Sequence, residues 1–241
     1  MQKFLMTCAA LSGLALSTAG YAADLAVRPA PVVAPAAPWT GCYVGFHAGA
    51  GWGDKWWADR FVIDNVSYPT SGWVTGAQLG CNYQTGPLVV GAEGTWSWTN
   101  IDGNGVPPNL IVPGTTAAQL SSKVDSIATA GGRVGLVADK SLIYVKVAAA
   151  WADESHTLTP AGTLVLAPGV VPQKISDTRF GIALGAGIEY MIAPVLTAKL
   201  EYNYDDFGTK SFFFNTIPGQ ETVNNRQRLH ILTLGVNYKF W

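Results

Sequence analysis

Three sets of side chains in this sequence could do chemistry. The first is a scatter of charges, Glu93, Arg133, Lys146, Arg179, Glu189, Lys199 and Glu201, most of them alone between apolar or small neighbours. A charge so placed is tolerable away from water only when an opposite charge and hydrogen bonds meet it. These seven should therefore interlock or line a polar path. The second set is the histidines, His47, His156 and His230. They lack metal-ligand spacing, so neither metal nor cofactor is expected. The run Asp153-Glu154-Ser155-His156 supplies an acid, a hydroxyl and an imidazole, the parts of a hydrolytic site. Neighbours on a strand point to opposite faces, so Ser155 and His156 cannot form a dyad. The run reads as a solvated loop base, and the chain as no enzyme. The third set is the pair Cys42 and Cys81.

The elements that position these groups follow from composition and period. Only 13% of the 241 residues are charged, against about a quarter in soluble domains. Past the N-terminus, no apolar run reaches the roughly 18 residues of a membrane-crossing helix. Few charges without a long apolar run are what a membrane-spanning sheet shows, because its two faces alternate. The net charge of −1 gives a nucleic-acid partner no support.

Residues 1–22 read as a signal peptide, with Lys3 before an apolar core from Phe4 to Leu16 and small residues near a cut after Ala22. Residues 23–38 read as a Pro-rich periplasmic leader, since prolines at 29, 31, 35 and 38 favour extended chain. Export puts Cys42 and Cys81 where disulfides persist.

From residue 39 to 241 the sequence alternates with a period of two. Eight strands are expected over about 41–52, 72–84, 88–98, 123–137, 142–152, 177–191, 195–205 and 229–241. In the last, Leu232, Leu234, Val236, Tyr238 and Phe240 share one face. Short turns at 85–87, 138–141 and 193–194 alternate with long connections at 53–71, 99–122, 153–176 and 206–227. An even number of strands closes without an exposed edge, so the fold is an all-β, eight-stranded antiparallel transmembrane up-and-down barrel. The short turns and termini belong to the periplasmic side and the four long loops to the exterior.

In that frame the seven charges, with Asp125, point into the lumen. An eight-stranded interior is just filled by its own side chains, which favours a charge network plugging the lumen over a narrow polar path. Cys42 and Cys81 fall on adjacent strands, facing outward. Opposed cysteines there can reach disulfide distance, so pairing is expected, with two buried free thiols as the alternative. Trp56, Trp57, Phe212, Phe213 and Phe214 fall in the external loops, either packing at the interface or meeting lipopolysaccharide, host molecules or neighbouring barrels.

The motifs now carry a resemblance. Trp39-Thr40-Gly41-Cys42-Tyr43-Val44-Gly45 resembles the opening of small alphaproteobacterial outer-membrane barrel proteins, porin-like or OmpA-like, some of them surface antigens. Gly132-Arg133-Val134-Gly135, Gly185 to Tyr190 and Ala198 to Tyr204 continue it. Gly235, Tyr238 and Phe240 have the form of the C-terminal assembly signal, which implies the barrel-assembly machinery as a partner. The resemblance implies the Gram-negative outer membrane as location, with its lipid and lipopolysaccharide as surroundings. It implies a structural, surface-interaction role without catalysis, whose loops meet host or envelope proteins. The alternative is a porin-like channel for small solutes or ions, with haem binding third.

Overall fold

The computed structural model describes residues 39–59, 66–105, 119–159, 173–216 and 219–241. The expected signal peptide and leader lie outside them. The chain forms β1 (Gly41–Asp59), β2 (Val66–Thr85), β3 (Leu88–Gly105), β4 (Gln119–Ala138), β5 (Ser141–Thr159), β6 (Gln173–Ala193), β7 (Leu196–Thr216) and β8 (Gly219–Lys239). Each strand pairs antiparallel with its sequence neighbours, and β1 pairs with β8, closing the barrel. This is the eight-stranded up-and-down barrel that the alternation predicts.

Three tight turns share one end with the chain terminus. Gly86 and Asp139 occupy left-handed conformations, with φ of 58° and 54°, in the β2–β3 and β4–β5 turns. At that end the Cys42 amide donates to the Trp241 carbonyl at 2.8 Å, so the last residue takes part in closure.

Outward positions form an apolar band. Phe46, Leu79, Val90, Val145, Ile182 and Leu234 are exposed along the strands. Trp52, Trp73, Trp98 and Trp151 ring one end, and Tyr83, Tyr190, Tyr238 and Phe240 the turn end. An apolar waist between two aromatic girdles is a surface made for a bilayer.

The strands run further than the sequence reading places them, over 18 to 21 residues, where about 9 to 11 cross a bilayer. The first and fourth of the connections expected as long loops are therefore largely strand. The fourth shrinks to residues 217–218, outside the described residues. Trp56 and Trp57 belong to β1 and Phe212, Phe213 and Phe214 to β7, not to loops. Beyond the upper girdle the outward face meets water, so Asp54, Ser67, Asp102 and Asn104 there are polar. The apolar–polar contrast fades while the hydrogen-bonded ladder continues.

A second difference lies in β4. A bulge between Val124 and Ser126 shifts the β4–β5 register by one residue, which reverses the alternation above it. Asp125, expected in the lumen, faces out and pairs with Lys123 at 3.5 Å.

Candidate functional site

The lumen holds the densest chemistry, and its side chains come from alternate positions on all eight strands. Six of the seven charges singled out from the sequence meet in one network in the lower half. Glu93 on β3 lies 3.6 Å from Arg133 on β4, 3.3 Å from Lys146 on β5 and 3.2 Å from Lys199 on β7. Glu201 pairs with Lys146, and with Lys199 at 3.3 Å. Arg133 reaches Glu189 on β6 at 3.0 Å. Three cations thus meet three carboxylates, and all six residues are 2–3% exposed. The seventh, Arg179, lies apart, in a cluster nearer the upper end.

Neutral partners take up the remaining lone pairs. Tyr43 donates to Glu93 at 2.7 Å and Tyr144 to Glu201 at 2.6 Å. Thr197 and Asn237 donate to Glu189 at 2.5 and 2.7 Å. The Arg133 guanidinium lies between the Tyr43 and Tyr144 rings, 4.8 and 5.0 Å from their centroids, where ring quadrupoles favour a cation. Room for the rings comes from glycine. A Cβ on Gly80 would lie 2.5 Å from the Tyr43 ring, and one on Gly187 2.6 Å from the Tyr144 ring. His47 extends the network through Gln78, at 2.5 Å, and Ser97, at 2.9 Å. The sequence reading did not single out Tyr43, Tyr144, Asn237, Gln78 or Asn82, whose Oδ1 accepts from Arg133 Nε at 3.0 Å. Their inward parity on the alternating strands was the available signal.

Apolar layers bound this network. Beneath it, Trp39, Val89, Leu142 and Met191 pack into a floor with the ring of Tyr144. Above it, Val74, Ile101, Ile127, Phe207, Leu229 and Ile231 form a belt across the lumen. Between network and belt lies a gap of about 30 Å³, bordered by His47, Ser97 and Asp205, enough for one or two waters.

Above the belt lies the second charged cluster. Glu154 on β5 is 3.6 Å from Lys55 on β1, 3.3 Å from Arg179 on β6 and 3.3 Å from His156 Nε2. His156 Nδ1 lies 2.9 Å from Ser122 Oγ on β4, to which Tyr68 donates at 3.3 Å. The sequence reading took residues 153–156 for a solvated loop base. In fact Glu154 and His156 are buried in the lumen wall, while Ser155 points away and donates to Asp125. The parity argument against a Ser155–His156 dyad stands, yet β4 supplies another hydroxyl. Ser122, His156 and Glu154 are strung together like nucleophile, base and acid, but each is at most 2% exposed and Glu154 is shared with two cations.

Outside the lumen, Cys42 and Cys81 are register partners on β1 and β2 and are joined as a disulfide. Tyr238 and Phe240 face outward at the turn end. Gly235 sits opposite His47, and a Cβ there would lie 3.1 Å from the Lys199 side chain, so this glycine clears space for a network cation. Trp56 is exposed on the outer wall. At the upper girdle His230, which also faces outward, stacks on Trp52 with centroids 6.1 Å apart and meets Tyr202 OH at 2.6 Å. Among the described residues, no group of His, Cys, Asp or Glu could hold a metal ion.

Comparison with known proteins agrees with this architecture. The model of the outer membrane protein beta-barrel domain family matches residues 6–240. A 25 kDa outer-membrane immunogenic protein of Brucella abortus is 26% identical over 247 residues, covering 100% of this chain and 99% of the relative. A 22 kDa outer membrane protein of Rhizobium leguminosarum is 28% identical over 187 residues, covering 75% of this chain and 70% of the relative. Among solved structures, Neisserial surface protein A aligns with a TM-score of 0.42 at 16% identity, over 83% of this chain and 98% of that one.

Proposed function

We propose, from the premise that this chain belongs to the outer membrane protein beta-barrel domain family, that it is a closed, non-catalytic barrel acting through what it displays. It resides in the outer membrane, as relatives named for that location indicate. Its turn end then faces the periplasm and its upper strand ends the exterior. In this reading the strand ends and the connections between them meet host or envelope molecules, and lipid and lipopolysaccharide surround the girdles.

The observation that carries the reading is the filling of the lumen. A hydrated ion crossing the barrel would have to pass the Trp39–Leu142–Met191 floor, the ion-paired network and the Ile127–Leu229–Ile231 belt. An apolar constriction holds off water and ions even where polar layers flank it. The burial of Ser122, His156 and Glu154 supports the absence of catalysis in the same way.

Single-channel recording on refolded protein tests the proposal. A planar bilayer holding folded protein, checked by the gel shift between unheated and boiled samples, should stay silent. Discrete, reproducible conductance steps would overturn the closed reading and establish the channel.

A further inference from the structure

The lower network is balanced, but one more acid lies just above it. Asp205 on β7 is 1% exposed, and its Oδ1 accepts no hydrogen bond from any described residue. The cations beneath it are already engaged. Lys146 and Lys199 each meet both Glu93 and Glu201, and Arg133 meets Glu93 and Glu189. The cations of the upper cluster lie beyond the apolar belt. On β6, Arg179 stands four residues above Ala183, the register partner of Asp205, a rise of roughly 13 Å. Below the belt, four buried carboxylates, Glu93, Glu189, Glu201 and Asp205, therefore face three cations, Arg133, Lys146 and Lys199.

A buried carboxylate is too costly to leave charged and alone, so it takes a cation or a proton. The surroundings of Asp205 suit a cation. It borders the gap of about 30 Å³ between network and belt, together with Asn203, Ser97, Thr95, Thr129 and Thr233. Each of these brings an oxygen. Asn203 donates its Nδ2 proton to Glu201 at 2.8 Å, and its Oδ1 is a second buried oxygen without a partner. The Thr95 and Thr129 hydroxyls lie 2.7 Å apart, one donating to the other, and Thr233 donates to the Glu201 main-chain carbonyl at 3.4 Å. A hydroxyl oxygen has two lone pairs, so accepting capacity is left over while the protons are spent. His47, on the same border, commits both ring nitrogens to Gln78 and Ser97. A water would satisfy these oxygens but not the charge.

We propose that this gap is a binding site for one sodium ion, held by the Asp205 carboxylate and the neutral amide and hydroxyl oxygens around it. Hard cations take oxygen ligands, and membrane proteins bind sodium through neutral carbonyl oxygens at depth. One positive charge completes the balance of the four acids. A divalent ion would overshoot it, and the described residues group no His, Cys, Asp and Glu side chains in a way that could hold one. The gap admits the ion with at most one water. Belt and network close it from both sides, so the ion is captured as the strands close around it. The site lies inside the wall and does not depend on what the exterior of the barrel meets.

The test refolds the full chain into lipid vesicles in sodium chloride or in choline chloride, at equal ionic strength and pH, choline being too large for the gap. Urea unfolding then gives the folding equilibrium in each salt. With a dissociation constant of about 10 mM, sodium at about 300 mM should raise the folding constant about thirtyfold over choline. Each further tenfold rise in sodium should add about tenfold, the mark of one ion per barrel. Asp205→Asn, which keeps the shape and removes the charge, should erase the difference between the salts. If that variant does not fold, the comparison of salts on the parent decides alone. Three results would each overturn the proposal: a parent equally stable in sodium and choline, a difference that survives Asp205→Asn, or a folding constant that follows pH while ignoring sodium. The last would mean that a proton neutralises Asp205.

Discussion

Glu93→Gln is the sharpest perturbation of the lumen. Glutamine keeps the shape and can still accept from Tyr43, so the change removes charge and little else. Three cations, Arg133, Lys146 and Lys199, lie within 3.2 to 3.6 Å of the Glu93 carboxylate. With Glu93, Glu189 and Glu201 ionised the network is balanced, and the variant leaves one buried cation in surplus. Each contact is worth about 4 kcal/mol of gross Coulomb energy at an effective dielectric of ~20. Desolvation already opposes much of that, so the net loss from breaking a buried pair is about 3–5 kcal/mol. Urea unfolding in lipid vesicles, followed by tryptophan fluorescence, should show it as a lower midpoint with an unchanged slope. Adding Lys199→Met restores neutrality and should recover stability, with a coupling energy of about 1–3 kcal/mol. A Glu93→Gln protein within about 0.5 kcal/mol of the parent, or a double variant no better than the single, would refute the network as a stabilising unit.

Other perturbations probe the frame around it. Reducing the Cys42–Cys81 disulfide, which closes a sequence separation of 39, should lower the unfolding free energy by at most about 4 kcal/mol on the chain-entropy model. The β1–β2 ladder constrains the same ends, so reduced and oxidised forms should both fold in vesicles. Gly187→Val should cost about 1–3 kcal/mol or more, because its side chain meets the Tyr144 ring that flanks Arg133. Gly86→Val, where nothing lies within 4 Å but φ is 58°, should be penalised for backbone strain alone, seen as a smaller loss than that of Gly187→Val in the same urea assay.

How much of this was legible in the sequence depended on solvent contrast. Where lipid touches one face and the lumen the other, as along Leu232 to Phe240, the period of two gives strand, face and turn together. Above the girdle both faces are polar, so Lys55 and Gln227, inward and buried, read like loop residues. Bulges were silent as well, since one extra residue leaves composition unchanged, and Asp125 was assigned to the wrong face for that reason. The inward charges were visible one at a time, but which of them meet depends on how far each strand is staggered. Arg179 and Glu189 share a strand and a face but lie roughly 33 Å apart along it, so they enter different clusters on either side of the apolar belt.

That stagger is what alternation cannot specify. A one-residue slip between neighbouring strands turns every lipid-facing side chain into the lumen and is excluded by the hydrophobic pattern. A two-residue slip keeps all faces correct and satisfies the same number of ladder bonds. Something other than binary pattern must therefore choose between registers. The lumen supplies it: moving β7 by two residues against β6 would take Lys199 away from its place opposite Glu189, and Glu201 away from Gly187, the glycine that admits Tyr144. Moving β2 against β1 by two would remove Gly80 from its position opposite Tyr43. Each such slip strands a buried charge or drives an aromatic ring into a Cβ, penalties of several kcal/mol where the alternation is indifferent. In this barrel the glycine–tyrosine contacts and the paired acidic and basic side chains act together as the register code, a role they fill whether or not the lumen conducts.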